Sequence, residues 1–179
     1  LKTALERGRI TLCASNLHQN GIGVFVYASD RDDLLPPFKM KNSGLNYLWA
    51  PGWGYWFDLG PLGGMQNLGH VDQAGIVTTG ETFYCPSQSV GSFTLQRYSP
   101  WKTPDDDEAI RVGYLFNLWV NPTSRMRIFQ HLSDMVPRKV LGLDMLLVPE
   151  WNAHTEVGPG WNVLFQDGSV RFAVDDYIS

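Results

Sequence analysis

Two cysteines, Cys13 and Cys85, and four histidines, His18, His70, His131 and His154, have the widest chemical range in this 179-residue chain. A nucleophilic thiol would pair Cys85 with His131 or His154. Such a pair works only when the thiol pKa is depressed and the base lies within hydrogen-bond reach. Pro86, directly after Cys85, reads as a turn. No Gly-x-Ser-x-Gly elbow or phosphate-binding loop occurs, and Gly21-x-Gly23 lacks the third glycine of a dinucleotide fingerprint. The expectation is a protein that is not an enzyme. The histidines are scattered and no Cys-x-x-Cys pair accompanies them, so no zinc site is expected. The cysteines fit one disulfide, Cys13 to Cys85, worth roughly 4 kcal/mol in the chain-entropy model. Two buried free thiols fit equally well.

Asp144, His154 and Asp167 come from a predicted strand, the loop after it and a hairpin turn, so they can converge. A carboxylate beside a histidine favours the charged imidazole. The expected role is a hydrogen-bond cluster pinning the loop to the hairpin; a metal or proton-linked contact is the alternative. Asp167 is expected mainly to serve the turn itself. Asp105-Asp106-Asp107-Glu108 groups oxygen ligands of the kind calcium takes, but without EF-hand spacing. A solvated acidic loop is the default there, so no cofactor is expected, with calcium as the alternative. Trp49, Trp53, Tyr55 and Trp56 sit in the densest aromatic segment. Their broad faces and polar tips suit either packing, in the core or between subunits, or a sugar-stacking platform.

The elements that must position these residues follow from periodicity. Residues 1 to about 29 read as one helix, with Ile10, Cys13, Leu17, Gly21, Val24 and Ala28 at spacings of three and four. Leu1, Leu5 and Leu12 widen that stripe. Gly21 and Gly23 weaken helix propensity by up to ~1 kcal/mol each and allow close packing on a sheet. Asp30 to Asp33 with Pro36-Pro37 marks the stop. Residues 31 to 82 are loop-rich. Strands are predicted over 112–120 and 138–148, and a short amphipathic helix over 124–135, where Met126, Phe129, Leu132 and Met135 fall three apart. Asn162 to Phe172 reads as a hairpin, with Asp167-Gly168 as a two-residue turn whose members both need positive φ.

The length suits one domain, residues 1–179, with a helix over 1–30 and a globular head over 31–179. A formal charge of −4 and a pI near 5.5 argue against nucleic-acid binding. Charged residues make up only 18% while glycine, proline and aromatics are plentiful, which suggests an extracytoplasmic protein with long ordered loops.

The ordered set of motifs resembles a prepilin-like family that carries an N-terminal cleavage and methylation signal and a C-terminal "H-X9-DG" element. The Cys-x-x-Asn-Leu-x-Gln segment is similar to Cys13, Asn16, Leu17 and Gln19, followed by Tyr27, Asp30 and Pro36. The family's Tyr-Cys-Pro-Ser segment looks like Tyr84, Cys85, Pro86 and Ser87, and its Gly-Tyr-x-x-Asn segment like Gly113, Tyr114 and Asn117. The closing element resembles His154 with Asn162, Asp167 and Gly168, although twelve residues rather than the family's nine separate His154 from Asp167. The resemblance implies an α+β, pilin-like fold: a long N-terminal helix on a small antiparallel β-sheet with extended loops. It also implies a subunit of a type IV pilus or a type II secretion-like assembly, anchored in the inner membrane before assembly. Its partners would be other pilin-like subunits, met through the N-terminal helix. The present sequence reads as the soluble portion, without the membrane-anchoring segment. The alternative is a secreted carbohydrate-binding module using the aromatic loop.

Overall fold

The structure is a computed structural model that describes residues 2–38, 56–58, 64–98, 109–117, 119, 121, 127–145, 152–154 and 160–174. Helix α1 spans Lys2–Ser29, as its periodicity predicts. Cys13, Leu17, Val24 and Ala28 are buried on one side of it. The helix stops where Asp32 and Asp33 take left-handed angles, φ 49 and 67. Aspartate tolerates that region because its short polar side chain bonds locally. The Asp33 N–H donates back to the Ala28 carbonyl at 2.9 Å, which satisfies an orphan carbonyl of the last turn.

The remaining regular elements are β1 (Trp56–Asp58), α2 (Leu68–Gln73), β2 (Ile110–Arg111), β3 (Tyr114–Phe116), β4 (Val140–Asp144), β5 (Gly160–Phe165) and β6 (Val170–Val174). Strands β3-β4-β5-β6 form an antiparallel sheet in that order, and β1 pairs with β2 as a separate ribbon. The class is α+β: a long helix against antiparallel sheets.

Helix α1 lies on one face of the four-stranded sheet, where Leu17 joins Tyr114, Phe116 and Leu164 in the main core. Gly21 makes this approach possible, since a Cβ there would stand 2.9 Å from Leu164 Cδ1. The opposite face is also covered. Leu115, Leu143 and Met145 pack with Phe93 in a second cluster. Burial on both faces explains why β3 and β4 read as nearly continuous apolar runs.

Two expectations change. The β5–β6 connection is a three-residue loop in which only Gly168 takes positive φ, at 82. The Gly168 N–H donates to the Phe165 carbonyl and the Phe165 N–H to the Ser169 carbonyl. That is a turn followed by a glycine bulge, the next most common hairpin connection. Among the described residues, 127–135 are not α-helical. Leu132–Asp134 form a single 3-10 turn. The backbone before it pairs with the segment after α1: the Leu35 N–H donates to Gln130 and the Leu132 N–H to Asp33. These long-range backbone bonds override the weak local periodicity. Helix α2 has no counterpart in the sequence reading; six residues with a glycine in them carry too little pattern.

Candidate functional site

Four chain segments meet under α1. Cys13 points from the helix, Cys85 from the loop after the 3-10 turn Gly80–Phe83, Asp144 from the last position of β4, and His154 from the loop before β5. Their donor atoms all lie within 4.8 Å of one another. Cys13, Asp144 and His154 are 0% exposed and Cys85 is 3% exposed.

The segments arrive there for local reasons. Pro86 sits second in a turn closed by the Gln88 N–H on the Cys85 carbonyl, at 3.0 Å, the position where a fixed φ helps. Asn16 holds this loop to the helix, donating to the Glu81 carbonyl at 3.2 Å and the Tyr84 carbonyl at 3.1 Å. Tyr84 is anchored at its far end by a hydroxyl bond to the Arg111 carbonyl, and burial pushes its pKa up. His154 is set by an isolated bridge to Gly160 and by its N–H donating to Asn152 Oδ1.

Within the cluster, Cys13 Sγ donates to Asp144 Oδ1 at 2.9 Å. Asp144 Oδ2 accepts both the backbone N–H and the side-chain amide of Asn162, at 2.7 and 3.0 Å. His154 Nε2 faces Cys85 Sγ at 3.4 Å and Asp144 Oδ2 at 3.3 Å. Its other nitrogen, Nδ1, meets Glu6 Oε1 at 2.9 Å. Glu6, 4% exposed, also accepts from the Ser87 hydroxyl at 2.8 Å. Tyr114 completes the wall, its hydroxyl 3.4 Å from Cys13 Sγ.

Electrostatics divide the two thiols. Burial drives the Cys13 thiol well above its ordinary value, and the Asp144 carboxylate adds to that. Burial also opposes ionisation of Cys85, but hydrogen bonds from Cys13 and His154 outweigh it and bring the thiol down to about 7. Burial would lower His154, yet bonds to Asp144, Cys85 and Glu6 raise it to about 10. An imidazolium balancing a thiolate and buried carboxylates is the physical content of these opposite shifts.

Several residues singled out in the sequence are therefore together: Cys13, Cys85, Asp144, His154 and Asn162. Both cysteines are free thiols in the structure. Asp167 stands apart. It is exposed in the hairpin loop, accepts from the Ser169 N–H at 2.9 Å and the Ser169 hydroxyl at 2.6 Å, and is held below the usual carboxylate range by those bonds. His131 also lies elsewhere, beside Asp134. Gln19 is exposed, on the outward side of α1. Trp49, Trp53 and Tyr55, and the acidic run 105–108, lie outside the described residues; Trp56 is described only as part of β1. Glu6 was missed. The signal was its place seven residues before Cys13, two turns along the same side of α1. Comparison with protein-family models, curated proteins and solved structures finds no match.

Proposed function

We propose that the chain is a non-enzymatic, pilin-like subunit of a filament or pseudopilus of the type IV pilus or type II secretion kind. In this reading it works outside the cytoplasm, is held in the inner membrane before assembly, and meets neighbouring copies through α1.

The observation that carries the proposal is the second face of that helix. Positions 5, 8, 12, 15, 19, 22 and 26 alternate by three and four and are all exposed. They hold Leu5, Gly8, Leu12, Ser15, Gln19, Ile22 and Val26. Leu5 is 58% exposed, Leu12 53%, Ile22 48% and Val26 42%. Leu5 and Leu12 stand seven apart and Ile22 and Val26 four apart, with the small Gly8 and Ser15 and the polar Gln19 between them, a stripe that suits packing of helix against helix. The other face of α1 is already used by the sheet, so the stripe is not needed for the fold of one chain. No helix among the described residues is long and apolar enough to cross a membrane.

The test is charge substitution in the full-length protein in its host. Leu5→Glu with Leu12→Glu is expected to remove the subunit from the sheared filament fraction. In the isolated domain the pair should shift stability by no more than about 0.5 kcal/mol per site, as for other exposed positions. Unchanged assembly with both glutamates present would reject the reading.

A further inference from the structure

We propose that Cys13, Cys85, Asp144 and His154 bind one zinc-class divalent metal ion as a closed, four-coordinate structural site. The inference concerns the inside of the domain and stands or falls independently of the assembly reading.

Geometry is the first support. Zn–S bonds of about 2.3 Å and Zn–N or Zn–O bonds of about 2.0–2.1 Å, arranged tetrahedrally, set donor-to-donor edges of about 3.3–3.8 Å. The His154 Nε2 edge to Cys85 Sγ measures 3.4 Å, and Nε2 lies 3.3 Å from Asp144 Oδ2, the oxygen next to the Oδ1 that would ligate. Cys13 Sγ lies 2.9 Å from Asp144 Oδ1, an edge that must open by about 0.6 Å when a cation replaces the thiol proton between them. All four donors lie within the 4.8 Å span.

The surroundings are the second support. A metal-bound histidine generally donates its remaining N–H to a carboxylate, which fixes the tautomer and aims the lone pair. Glu6 does this for His154: Nδ1 is directed at Oε1, which leaves Nε2 facing the other three donors. Asn162 holds Asp144 in the same way, through two donors on Oδ2, leaving Oδ1 turned toward Cys13. His154 and Asp144 are thus each oriented by a bond that is not itself part of the coordination.

Charge is the third. Two carboxylates and two thiols are packed about one imidazole, which carries the positive charge inside the cluster, while Arg9, 3.7 Å from Glu6, lies on the solvent side. Buried carboxylates are costly unless a cation compensates them, a role that a divalent ion would take over from the two protons it displaces. Binding would release two protons to solvent, the Cys13 thiol proton and the one on His154 Nε2 that balances the Cys85 thiolate, leaving His154 neutral and two thiolates and one carboxylate against the +2 ion. Thiolate, imidazole and carboxylate together in a tetrahedral site select zinc over calcium or magnesium. With four protein donors and no exposed edge, the ion has no open position for substrate. Cys85, 3% exposed, borders a surface cleft of about 370 Å³ with Leu12, Pro86 and Leu95, the side from which an ion would enter.

The probe is cobalt(II), then zinc(II), added alone to the reduced full chain under anaerobic conditions. The expected result is one equivalent bound, with thiolate-to-cobalt charge-transfer absorption and the visible bands of tetrahedral cobalt, all displaced by zinc. Zinc should then protect both thiols from iodoacetamide. Glu6→Gln should weaken zinc binding about 10–100-fold with the stoichiometry kept, as expected of a positioning residue. Cys85→Ser and His154→Gln should abolish the charge-transfer band. The wild-type titration needs no variant to fold, so it decides alone. Three results would overturn the proposal: a folded, reduced wild-type chain without a cobalt–thiolate band; a Cys13–Cys85 disulfide in acid-trapped native protein; or Cys85 alkylating equally fast with and without zinc, which would mark it as a free nucleophile.

Discussion

Asn162 shows how much rests on single side chains. Its amide donates to Asp144 Oδ2 and, at 3.3 Å, to the Ile10 carbonyl. It therefore ties β5 to both β4 and α1 at once. Asn162→Ala is expected to cost about 1–3 kcal/mol, the usual penalty for stripping partners from buried polar groups. Asn162→Asp should cost more, because it sets a second carboxylate against Asp144 in a dry site. Urea unfolding of the two variants checks the order, and equal losses would mean that Asn162 only fills space. At this scale the sequence was partly legible. Cysteines, histidine and aspartate announce themselves by type, and Asp144 with His154 was expected to meet. Cys13 and Cys85 were expected to meet each other, and Cys85 with His154 was one of two possible pairs, but all four in one cluster was not expected. Contacts across more than a hundred residues have no local signature, and these four donors lack the short spacings that advertise zinc sites in a sequence.

Among the elements, α1 was the most legible, since a 3.6-residue period over seven turns leaves no competing reading. Its docking rests on Gly21. Gly21→Val should lose about 1–3 kcal/mol through overpacking on Leu164. Trimming Leu164 to Ala in the same chain should cost less than it does alone, a coupling that a double-mutant cycle in thermal unfolding would register. The C-terminal stop of α1 carries a pH signature. Hydrogen bonds from Ser133 hold the Asp33 carboxyl below its ordinary value, through the Ser133 N–H on Oδ2 at 2.8 Å. A depressed carboxylate stabilises fully above its unfolded pKa of about 4 and loses that contribution as pH falls through the folded value. Between pH 5 and about pH 3, the wild type should therefore lose more stability than Asp33→Asn. The short elements were poorly legible for the opposite reason. Helix α2, the ribbon β1–β2 and the extended backbone at 127–131 are each a few residues long, and tertiary hydrogen bonds decide them.

For the whole molecule, an occupied metal site would act as a staple joining helix, loop and sheet. With free zinc at 100 times its Kd, linkage adds about 2.7 kcal/mol to the folded state. In a domain of this size each kcal/mol is worth roughly 2–4 °C in Tm. Stripping the ion with a strong chelator should then lower Tm by about 5–10 °C and restoring zinc should recover it; a Tm indifferent to both would count against a structural ion.

The span of the cluster along the chain sets an order of events in folding. Glu6 meets His154 across 148 positions and Cys13 meets Asp144 across 131. Loop closure on that scale is slow, and its cost precedes any reward from the contact. During synthesis α1 emerges first, yet its inner face finds Asp144, Asn162 and Leu164 only after the last hairpin has appeared. Until then both faces of the helix are open to solvent, the inner one with its two amides, its thiol and its leucine. The emerging chain therefore passes through an interval in which the face that will meet its own sheet and the exposed stripe of Leu5, Leu12, Ile22 and Val26 compete for apolar contacts, and closure of the Cys–His–Asp cluster marks the end of that interval.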